Sequence, residues 1–193
     1  MKQYYRLPFK PSVPTQLASK LLSRGYESAG AWDSVVMRGA EPGLWEPHAS
    51  GCELFTSQNS AEWRGFLLKC YGMPPDIGDW LNAPVGRKGW FHVLRRENGQ
   101  SGAALTMARG LYLAEDGWAW LGIDAPVPAV MAPCFDDDQK VTARLLMAAT
   151  PAGAHSFVSD FEVPSPTRAG PGYQRWGELG FSPVYLRKLH SKG

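Results

Sequence analysis

The sequence is poor in the residues that most often bind metals or form disulfides. It has 3 Cys and 4 His among 193 residues. The cysteines, Cys52, Cys70 and Cys134, are odd in number, and their spacing matches no zinc or redox motif. The histidines are isolated from one another. We therefore expect no metal centre, and we expect reduced thiols of the kind found in cytoplasmic proteins.

The sequence also lacks an excess of charge and a long hydrophobic run. Its 20 Lys and Arg and 18 Asp and Glu give a net charge of +2, and the basic residues are scattered. Nucleic-acid-binding proteins usually concentrate basic residues on one face, so no nucleic-acid partner is expected. No apolar run approaches the roughly 20 residues of a membrane-spanning helix. The N-terminal segment MKQYYRLPFKPSVP has no apolar core of a signal peptide. These patterns predict no association with a membrane.

The spacing of apolar residues places helices and strands along the chain. The predicted elements are helix 15–24, strand 31–38, strand 52–57, helix 61–71, strands 90–96, 101–114 and 118–125, helix 139–149, strand 155–163, helix 173–180 and strand 181–189. An Asn-Gly turn at Asn98 and Gly99 joins two of these strands into a hairpin. The order predicts an α+β fold, with a mixed, mostly antiparallel β-sheet flanked by helices.

Two local signatures accompany this order. RWGELGFSPVYLRKL (175–189) is a short helix that closes on Leu-Gly-Phe before the last strand, and GWAWLGIDAPVP (117–128) is a central strand that ends near a proline. With the element order, they resemble the Gcn5-related N-acetyltransferase (GNAT) superfamily over about residues 52–190. The resemblance implies a GNAT-like domain at 41–193. Such a domain transfers an acyl group from acetyl-CoA, its co-substrate, to the amine of a small molecule or peptide.

The first 40 residues contain an echo of the C-terminal signature. Residues 20–38, KLLSRGYESAGAWDSVVMR, have the same plan as residues 175–189: a short helix, then Arg-Gly-Tyr or Leu-Gly-Phe, then a strand ending in Arg. Some members of the superfamily contain two such modules in tandem. We interpret residues 1–40 as a helix–strand remnant of a first module, packed on the main domain. A coincidence between two helix-to-strand turns is the alternative.

The resemblance also locates a phosphate-binding segment. In GNAT domains the motif Gln/Arg-x-x-Gly-x-Gly/Ala holds the pyrophosphate of acetyl-CoA on backbone N–H groups at a helix start, and its glycines allow close approach. Here the same positions, residues 136–141, read DDDQKV and contain no glycine. The cofactor-binding residues that the resemblance implies are Val127, Asp138, Gln139, Lys140, Val141 and Thr142.

The aspartates at 136–138 allow three interpretations. They can cap the helix, because Asp satisfies free N–H groups at a helix N-terminus. A metal site is disfavoured, because three consecutive side chains cannot converge on one ion and no calcium-loop spacing follows. They can also mark an acyl-CoA site that has been lost or remodelled, because one such acid repels a phosphate by about 1–4 kcal/mol at contact distance. Lys140 would offset only part of this repulsion.

Two residues are candidates for proton transfer. GNAT enzymes usually take a proton from the amine with an acid near the central strands, and they often protonate the departing thiolate with a tyrosine of the last helix. Asp124 is the acid within the central strand and is the candidate base, with a solvent-facing polar residue as the alternative. The usual tyrosine position holds Trp176, so Tyr173, one helical turn away, is the candidate acid.

Three functional interpretations stay open at this point. The first is an acetyl-CoA-dependent N-acetyltransferase acting on an unknown amine. The second is a catalytically inactive GNAT-fold module that binds a ligand or a protein, which the glycine-free acidic segment and Trp176 favour. Some of the 8 Trp would then be exposed at an interface. The third is an unrelated α+β fold. A homodimer is compatible with each of them.

Overall fold

The computed structural model describes residues 3–7, 16–55, 59–99, 102–126, 135–163 and 170–192. Within them the strands are β1 (Gln3–Leu7), β2 (Glu27–Arg38), β3 (Cys52–Leu54), β4 (Trp90–Gly99), β5 (Gly102–Leu113), β6 (Trp118–Ala125), β7 (Ser156–Val163) and β8 (Ser182–Lys192). The α-helices are α1 (Leu17–Ser23), α2 (Pro42–Trp45), α3 (Ser60–Tyr71), α4 (Gly78–Asn82), α5 (Phe135–Ala149) and α6 (Pro171–Glu178).

The described strands form one sheet in the order β1-β8-β2-β7-β6-β5-β4-β3. Strands β6 and β7 run parallel, and every other neighbouring pair in that order is antiparallel. The chain links the parallel pair through α5, since parallel neighbours need a crossover connection. The predicted α+β fold, with a mixed and mostly antiparallel sheet flanked by helices, is confirmed.

Helices cover both faces of the sheet. Successive residues of a strand point to opposite faces, and Met107 and Ala108 of β5 show the result. Met107 joins Val141 of α5 and Trp176 of α6 in the larger core cluster. Ala108 packs instead in a second cluster with Trp63 of α3. The sheet therefore separates a face under α5 and α6 from a face under α3 and α4.

The β4–β5 hairpin is longer than the sequence predicts. Asn98 pairs with Ala103 and Gly99 pairs with Gly102, so the predicted turn residues lie inside the ladder. The register is set further down the hairpin, where buried Leu94 lies opposite buried Ala108. Because a shift of one residue would turn the apolar side chains to the wrong face, core packing overrides the local preference of Asn-Gly for a turn.

The N-terminal segment contributes an interior strand. The predicted strand 31–38 is part of β2, which lies between β7 and β8 and pairs with both. Its burial alternates toward the middle of the strand, where Ala31, Asp33 and Val35 are buried. Residues 27–38 thus belong to the same sheet as the rest of the chain. The origin of residues 1–40 in a tandem module stays a prediction.

Helix α6 is delimited by a proline and a glycine, as helices often are. Pro171 is its first residue, where the missing N–H costs no hydrogen bond. Gly180 follows the helix with φ +93°, a conformation that favours glycine, and the chain then enters β8. Trp176 packs edge-on against Phe181 with ring centroids 4.7 Å apart. This contact fixes α6 over the α5 side of the sheet.

Candidate functional site

Strands β6 and β7 separate before either of them ends. Their parallel ladder pairs Trp118 with Ser156 and ends where Leu121 pairs with Ser159. Strand β6 continues to Ala125 along β5, and β7 continues to Val163 along β2. Residues 122–125 and 160–163 are therefore not paired with each other, and we call the opening between them the cleft.

A β-bulge lies at the start of the cleft. Arg109 pairs with Asp124 and Gly110 pairs with Gly122, so Ile123 is the extra residue of β6. Ile123 has φ +52°, which is strained for a β-branched residue. Bulges bend a strand and redirect its side chains. This one turns β6 away from the line of β7.

Tyr71 of α3 holds the bent end of β6 from the other face. Its hydroxyl donates a hydrogen bond to the backbone oxygen of Asp124. Burial, and secondarily the negative charge of Asp124, raise the pKa of Tyr71. The phenol is therefore neutral and able to donate at physiological pH.

The three aspartates of the acidic segment each pair with an arginine from a different element. Helix α5 begins at Phe135, so the acids lie in its first turn, where negative charge suits the helix dipole. The pairs are Asp136 with Arg175 of α6 at 2.6 Å, Asp137 with Arg95 of β4, and Asp138 with Arg109 of β5. The carboxylates thus tie the helix start to α6 and to two strands, in addition to any capping role.

Arg109 lies at the centre of a buried polar cluster. Its side chain is 1% exposed, and one Nη donates to Asp138 and, at 3.2 Å, to Thr142 Oγ1. The other Nη donates to Ser159 Oγ at 3.0 Å. The guanidinium carbon lies 4.9 Å from the centroid of the Trp176 ring, within the range of a cation–π contact. We call Arg109, Asp138, Thr142, Ser159 and Trp176 the Arg109 network.

The Arg109 network lies at the apex of the cleft. Ser159 Oγ donates to the Leu121 carbonyl at 3.2 Å, across the last rung of the β6–β7 ladder. Burial raises the pKa of the Asp138 carboxyl and the charge of Asp124 adds to this effect, while Arg109 opposes it. Hydrogen bonds thus connect β5, β6, β7 and α5 at the point where the sheet opens.

The two predicted catalytic residues lie on opposite sides of the cleft. Asp124 is half-buried on β6, opposite Arg109 in the ladder. Tyr173 of α6 donates a hydrogen bond of 2.8 Å to Asp33 Oδ2, and Asp33 is fully buried on β2 next to β7. Trp176 lies one turn from Tyr173 on α6 and contacts Arg109 instead. The structure thus places a carboxylate and a phenol at the same open end of the sheet, and their roles stay predictions.

The predicted cofactor-binding side chains are largely engaged within the protein. Gln139 Nε2 donates to Glu178 Oε2 at 2.7 Å and to the Arg175 carbonyl at 3.3 Å. Val141 and Thr142 are fully buried. Lys140 is partly exposed, and its Nζ lies 4.0 Å from Asp137 Oδ1. Val127 lies outside the described residues.

The helix start lies further upstream than the sequence indicates. Because α5 begins at Phe135 and not at Gln139, the described N–H groups without an intrahelical acceptor belong to residues 135–137, the first three residues of the helix. The N–H groups of residues 139–142 bond within the helix. An anion at this helix terminus would therefore meet the N–H groups of residues 135–137, none of which is among the predicted cofactor-binding residues.

The arginines and Asp33 were not among the site residues predicted from the sequence. A signal for Arg109 exists in the segment ALTMARGLYL, where a single cation interrupts an apolar strand. A strand covered on both faces buries such a residue, and a buried cation needs a carboxylate partner. The partners of Arg95, Arg175 and Asp33 depend on contacts distant in sequence and left no local signal.

Two negative observations apply to the described part of the chain. No group of three or more His, Cys, Asp or Glu residues could hold a metal ion there. Nor is any helix in these segments long and apolar enough to cross a membrane.

Comparisons with known proteins identify the fold. No protein-family model matches the chain, and no curated protein matches its sequence. A GCN5-related N-acetyltransferase from Sphaerobacter thermophilus superimposes with a TM-score of 0.66 at 13% identity, over 99% of this chain and 60% of that one. A tandem GNAT protein from the clavulanic acid biosynthesis pathway gives 0.55 at 12% identity, over 99% and 63% of the two chains.

A third similar structure carries an acyl-CoA. The N-myristoyltransferase of Saccharomyces cerevisiae, with bound myristoyl-CoA, gives a TM-score of 0.54 at 9% identity, over 98% of this chain and 53% of that one. Identities this low show the fold alone. The chain has the GNAT fold, as its resemblance to that superfamily predicted, and it spans 60% of the length of the Sphaerobacter protein.

Proposed function

We propose that this chain is an acyl-CoA-dependent N-acyltransferase, with acetyl-CoA as co-substrate and the amine of a small molecule or peptide as acceptor. The observation that carries the proposal is the cleft beside the start of α5. Residues 122–125 of β6 have no partner on β7, so backbone groups on that side are free of the β6–β7 ladder. A thioester lying along β6 can use them as hydrogen-bond donors.

The reaction needs one proton removed and one supplied. The acceptor nitrogen attacks the thioester carbonyl carbon, the carbon–sulfur bond breaks, and the thiolate takes up a proton. Asp124, on the cleft-lining part of β6, would accept the proton of the amine. Tyr173 would protonate the sulfur, and buried Asp33, to which it donates, would orient its hydroxyl. The cleft walls would hold the two substrates in contact.

The pairing of the acids supports an anion at the helix start. Arg175 pairs with Asp136 and Arg95 pairs with Asp137. The positive charge of each arginine therefore partly compensates the negative charge of its aspartate, which the sequence alone does not indicate. The repulsion of a pyrophosphate is correspondingly weaker than for isolated carboxylates. The helix N-terminus then contributes its N–H groups and its dipole.

Isothermal titration of the purified protein with acetyl-CoA, at low salt and neutral pH, tests the proposal first. Micromolar binding is expected. Mass spectrometry of an amine panel incubated with acetyl-CoA then tests transfer. Asp124→Asn should lower kcat with the affinity for acetyl-CoA unchanged. Asp79→Asn, the same chemical change at an acid with an 88% exposed side chain, should leave both unchanged. No heat at millimolar acetyl-CoA would refute the proposal.

A catalytically inactive binding module is the second candidate function. The Arg109 network favours it, because side chains from β5, β7, α5 and α6 meet at the apex of the cleft. A protein in which this network excludes acyl-CoA would bind no acetyl-CoA in the titration. Acetyl-CoA binding without transfer to any amine would instead indicate a module that binds the nucleotide as a ligand.

A further inference from the structure

A pocket lined by indole rings lies on the α4 side of the sheet. Its volume is about 330 Å³, within the range of small-molecule sites. We call it the indole pocket. The residues that line it are Trp80, Pro84, Arg87, Trp90, Trp120 and Ile123, with Ala83.

Neighbouring residues fix two of the three indole rings. Trp120 lies on the backbone of Gly122, where an added Cβ would come within 2.1 Å of its ring. Trp90 stacks on His92 with ring centroids 5.9 Å apart and contacts Tyr112 at 5.1 Å. Side chains held in this way lose little freedom when a ligand binds, which favours affinity.

Two of the indole rings are more exposed to solvent than is usual for a side chain of this size. Trp80 is 71% exposed and Trp120 is 43% exposed. Burial of a large aromatic surface is favourable, so rings left in contact with water around a concave site indicate a ligand that covers them. Flat aromatic walls suit a planar aromatic molecule, which stacks on them.

Charge selects the kind of aromatic molecule. Among the described residues that line the indole pocket, Arg87 is the single charged one. No ion pair of Arg87 occurs among the described residues, so its guanidinium is available to a ligand. A guanidinium binds a carboxylate through two parallel hydrogen bonds and repels an ammonium group.

We propose that the indole pocket binds a planar aromatic molecule that carries a carboxylate. The indole rings stack on the ligand and Arg87 pairs with its carboxylate. The site can be tested independently of acyl transfer, because the side chains that would contact the ligand, Trp80, Arg87, Trp90 and Trp120, hold no role in that reaction. Ligand binding to the indole pocket can therefore be measured even if the chain binds no acetyl-CoA.

Isothermal titration with three ligands of one ring system tests this site. The probes are indole-3-acetate, which is anionic, indole, which is neutral, and tryptamine, which is cationic. Indole-3-acetate is expected to bind about tenfold more tightly than indole, and tryptamine more weakly than either. The preference for indole-3-acetate should decrease as the salt concentration rises. Equal or tighter binding of tryptamine, or no binding of indole-3-acetate at millimolar concentration, would overturn the proposal.

Three variants localise the binding. Arg87→Gln should reduce the affinity for indole-3-acetate to that for indole. Lys88→Gln removes a positive charge from the neighbouring residue and should preserve the preference for indole-3-acetate over indole. Trp80→Ala, at a position whose side chain is 71% exposed, should weaken the binding of every probe by about tenfold. Unchanged binding in Trp80→Ala or Arg87→Gln would place the ligand elsewhere and refute the site. Sedimentation that shows a dimer dependent on Trp80 would also refute it, because a second chain would then cover the rings.

Discussion

At the scale of single residues, the Arg109 network is the least replaceable feature of the candidate site. A buried arginine is tolerated only when a carboxylate and further hydrogen bonds compensate for its desolvation. Asp138, Thr142 and Ser159 supply these contacts from two other elements. The energetic consequence is asymmetric, because removal of one charge leaves the other buried and unpaired.

Arg109→Met should therefore lower the free energy of unfolding by about 3–5 kcal/mol, measured by urea denaturation. The side-chain volume is nearly retained, so the loss reports the unpaired carboxylate of Asp138. The double variant Arg109→Met/Asp138→Leu should recover a large part of it, because neither charge remains.

Arg175→Gln is the matched control for this prediction. Its pair with Asp136 joins side chains that are 34% and 65% exposed. Exposed pairs contribute roughly 0–1 kcal/mol, so this change should have a small effect. Equal losses in Arg109→Met and Arg175→Gln would contradict the assignment of a buried charge pair.

His92 makes the stability of the protein depend on pH. It is buried beside the rings of Phe55, Trp63 and Trp90, and burial lowers its pKa to about 4. In the unfolded chain its pKa is near 6.5, so the unfolded state binds the proton first as the pH falls. The contribution of the neutral His92 ring to the free energy of unfolding is fully present above about pH 6.5. It is lost as the pH falls from 6.5 to 4, and the loss amounts to at most about 3 kcal/mol.

Urea denaturation at several pH values checks this expectation. In His92→Phe the decrease in the free energy of unfolding between pH 6.5 and 4 should be smaller by about 3 kcal/mol, since the phenyl ring does not titrate. His92→Gln serves as a second variant in case the larger ring does not fit. The half-exposed His48, substituted by Gln, should retain the wild-type slope. A slope unaffected by either change at His92 would contradict the assignment.

At the scale of elements, the bent end of β6 shapes both the cleft and the indole pocket. The absence of a side chain at Gly122 lets Trp120 fold over the strand, while the bulge at Ile123 turns the strand away from β7. One short segment, residues 120–123, therefore determines the geometry on both faces of the sheet.

Gly122→Ala should displace the Trp120 ring, because its added Cβ would lie 2.1 Å from a ring atom. We expect a loss of about 1–3 kcal/mol in stability, as in other overpacked sites. The affinity for indole-3-acetate should fall in the same variant. Urea denaturation and titration measure the two effects.

Gly65→Ala is the control for this substitution. Gly65 is exposed within α3, and nothing lies within 4 Å of an added Cβ. The same change should stabilise the helix by roughly 0.5–1 kcal/mol. Equal effects of the two substitutions would show that Trp120 does not rest on Gly122.

The sequence predicted most elements but not the contacts between them. Apolar spacing located α3, β6, β7 and α6, because each has a regular pattern within its own residues. Helix α5 was predicted to begin at Gln139 and begins at Phe135, because the acids of its first turn find arginines on other elements. The cleft depends on where the β6–β7 ladder stops, and ladder lengths are not encoded in local spacing.

At the scale of the whole molecule, one sheet joins the N-terminal segment to the rest of the chain. The resemblance to GNAT domains predicted a mixed, mostly antiparallel sheet flanked by helices, and the superposition on a solved GNAT structure confirms that fold. It could not predict that a strand from the first 40 residues would lie in the interior of the sheet. That position requires partners on both edges, β7 and β8, which are more than 100 residues away in sequence.

A chain cut to residues 41–193 tests whether these residues form an independent domain. We expect it not to unfold cooperatively, because removal of β2 leaves the facing edges of β7 and β8 without backbone partners. Urea denaturation followed by circular dichroism measures this. A separate peptide of residues 1–40, added to the cut chain, should restore a cooperative transition by supplying β2. Cooperative unfolding of residues 41–193 without the peptide would instead support a domain boundary at residue 40 and a dispensable N-terminal remnant.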